Sequence, residues 1–276
     1  MTDSPFAVVT GASSGIGLEL ALLFAADGYD LLLCAEDEGL ATAAARVRAA
    51  GVEVHVMQVD LSSVEGVQTC YEAVIATGRA VDAAAVNAGV GQGGAFVDTD
   101  VDALLQVVQL NVTSTMLLTR LLLADMVERD AGRLLLTSSI ASTLPGAFQA
   151  VYNASKSFVQ SLTEALQSEL KDSAVTITSL MPGPTDTNFF PRAGMDDTLV
   201  GQGPKDDPAA VARQGYDALQ RGKDRVVAAS LGTKAQELAA KVLPDKLKAE
   251  VHRTIAEPRG DGPDQTATPG SSDSVR

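Results

Sequence analysis

A tyrosine and a lysine stand four residues apart in the chain, at Tyr152 and Lys156. On a helix this spacing puts both side chains on one face, so the lysine ammonium is expected close to the tyrosine phenol. A fixed positive charge favours the ionised phenol and would lower its pKa from about 10, which suits a general acid or base. Upstream, Ser139 ends the run RLLLTSS, and a hydroxyl at the carboxyl end of a parallel strand faces the ligand crevice. These residues predict a proton-transfer site in which Ser139 polarises an oxygen atom.

The spacing of Tyr152 and Lys156 is weak evidence alone, because a surface pair on an amphipathic helix shares it. Other motifs accompany the pair in a consistent order: TGASSGIG at Thr10–Gly17, Asp60, Asn87-Ala88-Gly89, Asn111, Ser139 and Pro182-Gly183. Together these motifs resemble the successive signatures of the short-chain dehydrogenase/reductase family. The resemblance covers about residues 5 to 230.

The resemblance implies a nicotinamide-dependent alcohol dehydrogenase or carbonyl reductase. In such an enzyme Tyr152 exchanges a proton with the substrate oxygen and Ser139 hydrogen-bonds that oxygen. Lys156 lowers the pKa of the tyrosine and holds the nicotinamide ribose. Asn111 would hold a kink in its helix and a water molecule of the proton relay, although a buried amide that merely satisfies the core would give the same sequence.

Two other functions share these residues. An epimerase or dehydratase of the extended type also uses Tyr152 and Lys156, but such enzymes have longer chains and a different glycine spacing. A cofactor-binding sensor would be expected to lose the tyrosine or the lysine, and both are present. Single-turnover oxidation of bound reduced cofactor would separate an enzyme from a sensor.

The glycine-rich turn predicts a dinucleotide site between a strand and a helix. Glycine permits a tight turn and close approach of the backbone, and the helix amino terminus offers N–H groups and a positive dipole end to a pyrophosphate. The spacing of Gly11, Gly15 and Gly17 is the one that the family resemblance implies. The predicted cofactor-binding residues are Gly11, Ser13, Ser14, Gly15, Ile16, Gly17, Glu36, Asp60, Leu61, Asn87, Ala88, Gly89, Tyr152, Lys156, Pro182, Gly183, Thr185 and Thr187.

Three of these residues carry a second interpretation. Asp60 resembles the residue that caps the adenine pocket in the family, but it could also be the N-cap of the next helix. Asn87 is expected to brace the sheet beside the cofactor without direct chemistry. Thr185 departs from the family, which often has a branched apolar residue there, so Thr187 is the safer contact to the nicotinamide carboxamide.

Acidic residues after the second strand, Glu36-Asp37-Glu38, predict a preference for NAD over NADP. A carboxylate there can accept hydrogen bonds from the ribose hydroxyls, whereas an arginine would pair with a 2′-phosphate. Ser14 precedes Gly15 where a basic residue would favour NADP. Alternatively, Glu36-Asp37-Glu38 is only a solvated loop at the start of the next helix. This alternative stays open because NAD-using relatives often have their aspartate one position earlier, where this chain has Ala35. NADP therefore stays an alternative cofactor.

The segment Asn188–Pro208 mixes aromatic residues with Gly, Asp and Pro, which is typical of a lid over a substrate pocket or of ordinary surface packing. Phe189 and Phe190 in this segment, together with Phe148, are the predicted substrate contacts. A pocket without fixed cations favours a hydrophobic ketone or secondary alcohol, because it cannot offset the desolvation of a carboxylate. Arg192 is the residue that could reverse this preference. No metal site is predicted, because no Cys, His and carboxylate residues have ligand spacing.

Apolar strands alternate with helical patterns along the chain, which predicts an α/β fold with a doubly wound parallel sheet of Rossmann type. We expect one domain, with residues 1–230 forming the dinucleotide-binding and catalytic part, 231–257 a helical C-terminal extension and 258–276 a disordered tail. One continuous helix is expected at about residues 98–128. His55 and His252 are expected to be packing residues rather than bases or ligands.

The composition indicates an acidic, soluble protein of a reducing compartment, which we expect to be the cytoplasm, whereas the small-molecule carbonyl or alcohol substrate is what the family resemblance implies. A net charge of −14 disfavours nucleic acid and anionic membrane partners, which are themselves negative. Cys34 and Cys70 do not form a disulfide framework, so a reducing compartment is expected, and no secretory signal precedes the first strand. Residues 134–155 are uncharged, but Pro145 and Gly146 interrupt the segment, so its longest apolar run is too short to span a membrane. The family resemblance also implies a homodimer or homotetramer through the helices of Asn111 and Tyr152.

Overall fold

A parallel sheet of seven strands forms the centre of the fold in the described residues, which are 4–228 and 245–258 of a computed structural model. The strand order is β3-β2-β1-β4-β5-β6-β7, and each neighbouring pair is parallel. The strands are β1 Phe6–Thr10, β2 Asp30–Ala35, β3 Val54–Gln58, β4 Ala83–Val86, β5 Arg133–Thr137, β6 Thr176–Pro182 and β7 Arg225–Ala228. The helices are α1 Gly15–Ala26, α2 Gly39–Arg48, α3 Val64–Ala76, α4 Val101–Val108, α5 Thr115–Glu128, α6 Ala150–Glu169, α7 Phe189–Arg192, α8 Leu199–Gln202, α9 Pro208–Gln220 and α10 Asp245–Ala256.

Helices cover both faces of the sheet, which explains the continuous apolar strands. In β1, Ala7 and Val9 face one core with α1, α2 and α9, while Phe6 and Val8 face a second core with α3, α5 and α6. A strand that is buried on both faces needs apolar residues at every position. The predicted α/β class and the doubly wound parallel sheet are therefore confirmed.

The strand order reverses between β1 and β4, whose carboxyl ends lie side by side. In open α/β sheets this reversal leaves a crevice beyond the carboxyl ends of the strands, where ligands bind. The segments that follow β1, β2, β4, β5 and β6 contain most of the predicted functional residues. The topology thus gathers residues that are far apart in the sequence.

The long helix expected at about residues 98–128 is not a continuous α-helix. A π-helical segment, Gln109–Ser114, separates α4 from α5, and Asn111 lies within it. Among the described residues, Val101–Glu128 is also the one helical stretch long and apolar enough to cross a membrane by length and composition alone. Half of its most apolar window is buried inside the fold.

Two other segments differ from the sequence-based expectation. The segment Asn188–Pro208 contains the short helices α7 and α8 rather than only a loop. Of the helices expected in the C-terminal extension, α10 is described, whereas 229–244 lie outside the described residues. The tail expected at 258–276 lies outside them too, apart from its first residue.

Candidate active site

Tyr152 and Lys156 lie on the buried face of α6, with exposed fractions of 8% and 5%. The Lys156 Nζ atom lies 6.0 Å from the centre of the Tyr152 ring and donates a hydrogen bond to the Thr137 carbonyl oxygen at 2.9 Å. Because Thr137 ends β5, this bond fixes the lysine against the carboxyl end of a central strand. The shared face that the spacing predicted is confirmed.

The pKa of Tyr152 is raised to about 12, so the expected lowering is wrong for this structure. Burial of the phenol is the largest cause, and a hydrogen bond with Ser139 opposes it. Burial also lowers the pKa of Lys156 to about 8, because the ammonium is removed from water. The sequence argument counted the attraction between the two groups but not the desolvation of both, which depends on the tertiary fold.

Ser139 follows β5 and begins a short 3₁₀ segment, Ile140–Thr143. Its Oγ atom accepts a hydrogen bond from the Ala141 N–H at 3.1 Å. The hydroxyl hydrogen is then left to donate to the Tyr152 oxygen, the contact that opposes the rise in the tyrosine pKa, or to a substrate oxygen. Ser139 and Tyr152 thus form one pair of hydroxyl groups, as the sequence predicted.

Asn111 joins three segments of the site through its side-chain amide. The Oδ1 atom accepts from the Val90 N–H at 2.9 Å, and Nδ2 donates to the Val90 carbonyl at 2.8 Å and to Ser155 Oγ at 3.0 Å. Ser155 in turn donates to the Tyr152 carbonyl at 2.7 Å. The amide therefore ties the π-helical segment to α6 and to the segment after β4, which agrees with the predicted role in a helix kink.

The glycine-rich turn packs too tightly for any side chain at Gly17. A Cβ atom there would lie 2.1 Å from the Gly11 carbonyl oxygen. Gly11 and Gly15 have φ angles of 64° and 54°, which favour glycine. Ser14 is the N-cap of α1 but its side chain makes no capping hydrogen bond, so it leaves the backbone N–H groups of the first turn without a side-chain acceptor. Ser14, Gly15 and Ile16 also line the cavity described below. This turn fits a dinucleotide pyrophosphate.

Asn87 braces the strands beside this turn. Its Nδ2 atom donates to the Thr10 carbonyl at 3.3 Å, and its Oδ1 atom accepts from Thr137 Oγ1 at 3.0 Å. The Thr10 hydroxyl accepts from the N–H groups of Asn87 and Ala88, both at 3.0 Å. Asn87 thus connects β1, β4 and β5, as expected for a bracing residue.

The acidic segment after β2 is partly neutralised within the fold. Arg192 of α7 forms an ion pair with Glu36. Asp37 accepts a hydrogen bond from Ser13 Oγ at 2.6 Å and another from the Gly39 N–H at 3.0 Å. Sequence spacing gave no sign of the Arg192 contact, because its two partners are separated by 156 residues.

Asp60 does not cap the following helix, so that alternative interpretation is wrong. The N-cap of α3 is Ser63, whose Oγ atom accepts from the Gly66 N–H at 2.9 Å. The Asp60 carboxylate instead accepts from the N–H and the hydroxyl of Ser62 at 2.8 and 2.7 Å. Asp60 is exposed at the edge of the cavity, which is consistent with the predicted adenine end.

A single cavity of about 570 Å³ connects nearly all of these residues. Of the predicted site residues it is lined by Gly11, Ser13, Ser14, Gly15, Ile16, Glu36, Asp60, Leu61, Asn87, Ala88, Gly89, Ser139, Tyr152, Lys156, Pro182, Gly183, Thr185, Thr187, Phe189 and Phe190. Gly17, Asn111 and Phe148 lie outside this lining. Gly17 and Asn111 support it from behind, whereas the ring of Phe148 packs toward Arg253, at 6.0 Å from its guanidinium carbon, so its expected place in the substrate pocket is corrected.

The segment after β6 covers the catalytic end of the cavity. The Phe189 ring lies 5.1 Å from the Tyr152 ring, and the Phe190 ring lies 5.4 Å from that of Phe189. Phe190 also packs with Ala193 and Met195 against Ala256 of α10. The two phenylalanines are thus near the reactive hydroxyl groups, as predicted.

The C-terminal helix contributes cavity residues that the sequence analysis missed. Lys248, Val251, His252 and Ile255 line the cavity, and His252 is 5% exposed. The expectation that the pocket has no cationic groups is therefore wrong, because Lys248 and Arg192 both line it. The spacing of Lys248, His252 and Ala256 puts them on one helix face and was the available signal. No group of three or more potential metal ligands occurs within residues 4–228 and 245–258.

Comparisons with known proteins agree with this geometry. The family model for short chain dehydrogenases matches residues 5–197. A protein of Streptomyces coelicolor named as a candidate ketoacyl reductase is 36% identical over 188 residues, which are 67% of this chain and 72% of the relative. The dehydrogenase/reductase SDR family member 7B of Bos taurus is 32% identical over 237 residues, 80% of this chain and 72% of the relative.

Two solved structures show the same architecture. A short-chain dehydrogenase from Sphingobium yanoikuyae in complex with NADPH has a TM-score of 0.75 and 27% identity, over 86% of this chain and 93% of its own. A short chain dehydrogenase/reductase from Burkholderia phymatum in complex with NAD has a TM-score of 0.79 and 25% identity, over 94% of this chain and 98% of its own. The two relatives thus differ in the cofactor they contain.

Proposed function

The chain belongs to the short-chain dehydrogenase family, and we propose that it transfers a hydride between a nicotinamide cofactor and a hydrophobic ketone or secondary alcohol. The observation that carries the proposal is the buried group of Ser139, Tyr152 and Lys156 at one end of the cavity, with Phe189 packed on the tyrosine. When bound, the nicotinamide supplies or accepts the hydride. The glycine-rich turn and Asp60 would hold its adenosine and pyrophosphate parts, and Lys156, Pro182–Gly183 and Thr187 the nicotinamide end.

The side chains of the chain itself account for the proton. Because the pKa of Tyr152 is raised to about 12, the phenol is protonated at neutral pH and can donate to a substrate oxygen during reduction. The Ser139 hydroxyl can donate a second hydrogen bond to the same oxygen. Lys156 contributes positive charge near the phenol, which stabilises the phenolate that is left.

A pH profile tests the role of Lys156. Its pKa is lowered to about 8, so the ammonium is charged below that pH and loses its proton as the pH rises through it. Tyr152 keeps its proton over this range. We therefore expect kcat/KM for ketone reduction to be level between pH 6 and about 8 and to fall above it. Lys156→Arg keeps the charge and should remove the inflection even if its activity is lower; an inflection that persists in this variant would contradict the assignment.

The hydrophobic substrate class is supported by the apolar lining at the catalytic end, which includes Leu144, Phe189, Phe190 and Val200. Of the two cations that line the cavity, Arg192 is paired with Glu36, which reduces its attraction for a carboxylate substrate, and Lys248 also has a partner within the fold. A panel of cyclic and aryl ketones, small keto acids and sugars, assayed with both nicotinamide cofactors, tests the proposal. Faster turnover of the small acids than of the ketones would refute the substrate class, and no turnover with any carbonyl compound would refute the reaction.

We also propose a preference for NAD(H), with NADP(H) as the weaker cofactor. A 2′-phosphate near Glu36, Asp37 and Glu38 would be repelled by about 1–2 kcal/mol in the solvated cleft, but the Arg192 ion pair cancels part of this. NADH should therefore bind about tenfold more tightly than NADPH. Glu36→Gln removes one carboxylate and releases Arg192, so we expect NADPH affinity to rise about tenfold with little change for NADH.

The double variant Glu36→Gln/Arg192→Gln is the matched control for this prediction. It removes the repulsion without leaving a cation, so its gain in NADPH affinity should be smaller than that of Glu36→Gln. Fluorescence titration of both reduced cofactors measures these affinities. Tighter binding of NADPH than of NADH by the unmodified protein would contradict the proposed preference.

A homodimer or homotetramer through α4, α5 and α6 is part of the proposal. Exposed apolar side chains lie on these helices, with exposed fractions of 66% at Val101, 48% at Leu105 and 37% at Phe158. Leu105→Asp should lower the mass measured by light scattering to that of a monomer, because a charge would be buried in the interface. Ile75→Asp on α3, also an exposed apolar site, is the control and should leave the mass unchanged. A monomeric unmodified protein would refute the interface.

A cytoplasmic location is also proposed. Cys34 and Cys70 are buried free thiols, which suits a reducing compartment.

A further inference from the structure

His252 lies where the C-terminal helix meets the segment that leads into the catalytic helix. This segment, Pro145–Gln149, connects the 3₁₀ turn after Ser139 to the first residue of α6. Its conformation therefore decides where Tyr152 stands relative to Ser139. Contacts that fix this segment therefore also affect the distance between the hydroxyl groups of Ser139 and Tyr152.

The segment contains a strained residue. Phe148 has a φ angle of 60°, in the left-handed region that residues with a side chain rarely adopt. Such a conformation persists only where the surrounding contacts determine it. The Phe148 carbonyl accepts a hydrogen bond from the Gly94 N–H at 3.0 Å, and the Gln149 N–H donates to the Gly146 carbonyl at 3.1 Å. One further backbone group in the segment, the Ala147 carbonyl, is bonded to a side chain from α10.

The His252 Nδ1 atom lies 3.1 Å from the Ala147 carbonyl oxygen. A carbonyl oxygen only accepts hydrogen bonds, so Nδ1 must carry the hydrogen and the neutral ring has its lone pair on Nε2. The Nε2 atom lies 3.4 Å from Asn153 Nδ2, which can donate to it. His252 is therefore held to the strained segment by the bond at Nδ1. At Nε2 it can accept only a weak, shared hydrogen bond from α6, because the two hydrogens of Asn153 Nδ2 also face two closer carbonyl oxygens.

Asn153 extends this connection to the reactive residues. It follows Tyr152 directly on α6, and its Nδ2 atom also lies 3.1 Å from the carbonyl oxygens of Ala141 and Leu144. Ala141 is the residue whose N–H bonds to Ser139 Oγ. The contacts from His252 therefore reach the neighbours of both Ser139 and Tyr152, although His252 touches neither.

Packing of α10 keeps the imidazole in place. Ala256, one turn beyond His252, is buried against Phe190, Ala193 and Met195. Arg253 lies 6.0 Å from the centre of the Phe148 ring, so a second side chain of the same helix contacts the strained segment.

We propose that His252 is a positioning residue of the reduction reaction. Its bond to Ala147 holds the segment Pro145–Gln149 in the conformation that lets the hydroxyl groups of Tyr152 and Ser139 hydrogen-bond the same substrate oxygen. The inference rests on the proposed function for its catalytic consequence. The alternative is that His252 only fills space under α10. The two differ in what they predict for hydrogen-bonding replacements of similar size.

The test compares three variants of the full chain. His252→Asn places an amide N–H near the position of Nδ1 and can still donate to Ala147. His252→Gln places its amide near the position of Nε2 and can reach only Asn153. His252→Ala removes both bonds. Thr254→Ala is the control: this residue is exposed, and its hydroxyl donates to the Glu250 carbonyl of its own helix.

For His252→Ala we expect kcat/KM for ketone reduction to fall by about 10- to 100-fold, the scale for a misplaced catalytic group. NADH affinity should stay within about twofold, because the hydrogen bonds of His252 go to Ala147 and Asn153 and not to the glycine-rich turn. Hydrogen exchange at the Gln149 and Gly94 amides should become about tenfold faster, since their bonds belong to the released segment. His252→Asn should recover most of both losses, and His252→Gln should resemble His252→Ala.

The outcomes separate this inference from the proposed function. Normal exchange at Gln149 and Gly94 in all three variants would overturn the positioning role. So would equal losses in His252→Asn and His252→Ala, or parallel losses of NADH binding and turnover, which indicate packing alone. If the unmodified protein turned over no carbonyl compound, the proposed reaction would fail, while the exchange measurements would still decide whether His252 holds the segment.

Discussion

Tyr152→Phe should lower kcat for ketone reduction by at least about 100-fold, the usual scale for removing a general acid or base. The substitution keeps the ring, so its packing on Phe189 at 5.1 Å is retained and only the hydroxyl is lost. Ser139 can still hydrogen-bond the substrate oxygen but cannot deliver a proton at neutral pH. NADH affinity should stay within about threefold, because the glycine-rich turn and Asn87 are unchanged.

Tyr216→Phe is the matched control. The Tyr216 hydroxyl bonds to Asp27 at 2.6 Å on the far side of the sheet from α6, so its loss should cost about 1 kcal/mol of unfolding free energy without lowering kcat. Stopped-flow measurement of the hydride step and thermal unfolding of both variants give the comparison. A Tyr152→Phe variant that retains more than a tenth of the original turnover would remove Tyr152 from the proton transfer.

The sequence predicted the parts of the site that sit at the carboxyl ends of strands. Gly11, Asn87 and Ser139 each follow an apolar run, and a parallel sheet brings such positions to one edge without knowledge of side-chain packing. Tyr152 and Lys156 needed only the helix period. These inferences need only local geometry and topology, and both can be deduced from the order of the residues in the sequence.

The parts that were missed depend on distances between segments remote in sequence. Arg192 reaches Glu36 across 156 residues, and His252 reaches Ala147 across 105. The direction of the Tyr152 pKa shift was wrong for the same reason, because burial of the phenol is set by residues such as Phe189 that the helix period does not place. Asn111 was expected at a kink, but the sequence did not show that the kink is a π-helical turn in which Asn111 bonds to Val90 and Ser155.

Gly17→Ala should weaken NADH binding by about 100-fold. The added Cβ atom would lie 2.1 Å from the Gly11 carbonyl oxygen, 2.7 Å from its carbonyl carbon and 2.8 Å from Asn87 Nδ2. Two of these neighbours are backbone atoms that cannot rotate away, so the turn itself must move. A displaced turn would lose two or more backbone bonds to phosphate of about 1.5 kcal/mol each, which together correspond to that change in affinity.

The effect on stability should be moderate, and this separates a binding defect from unfolding. Overpacking of this kind costs about 1–3 kcal/mol, or a fall in Tm of roughly 3–10 °C for a domain of this size. Gly28→Asn is the control at the other end of α1: a Cβ atom there meets nothing within 4 Å, and asparagine tolerates its φ of 80° better than other residues do. It should bind NADH within twofold of the unmodified protein. Because α1 begins at the turn that Gly17 packs against, a Gly17→Ala variant that stays folded and binds NADH normally would show that the cofactor does not use this turn.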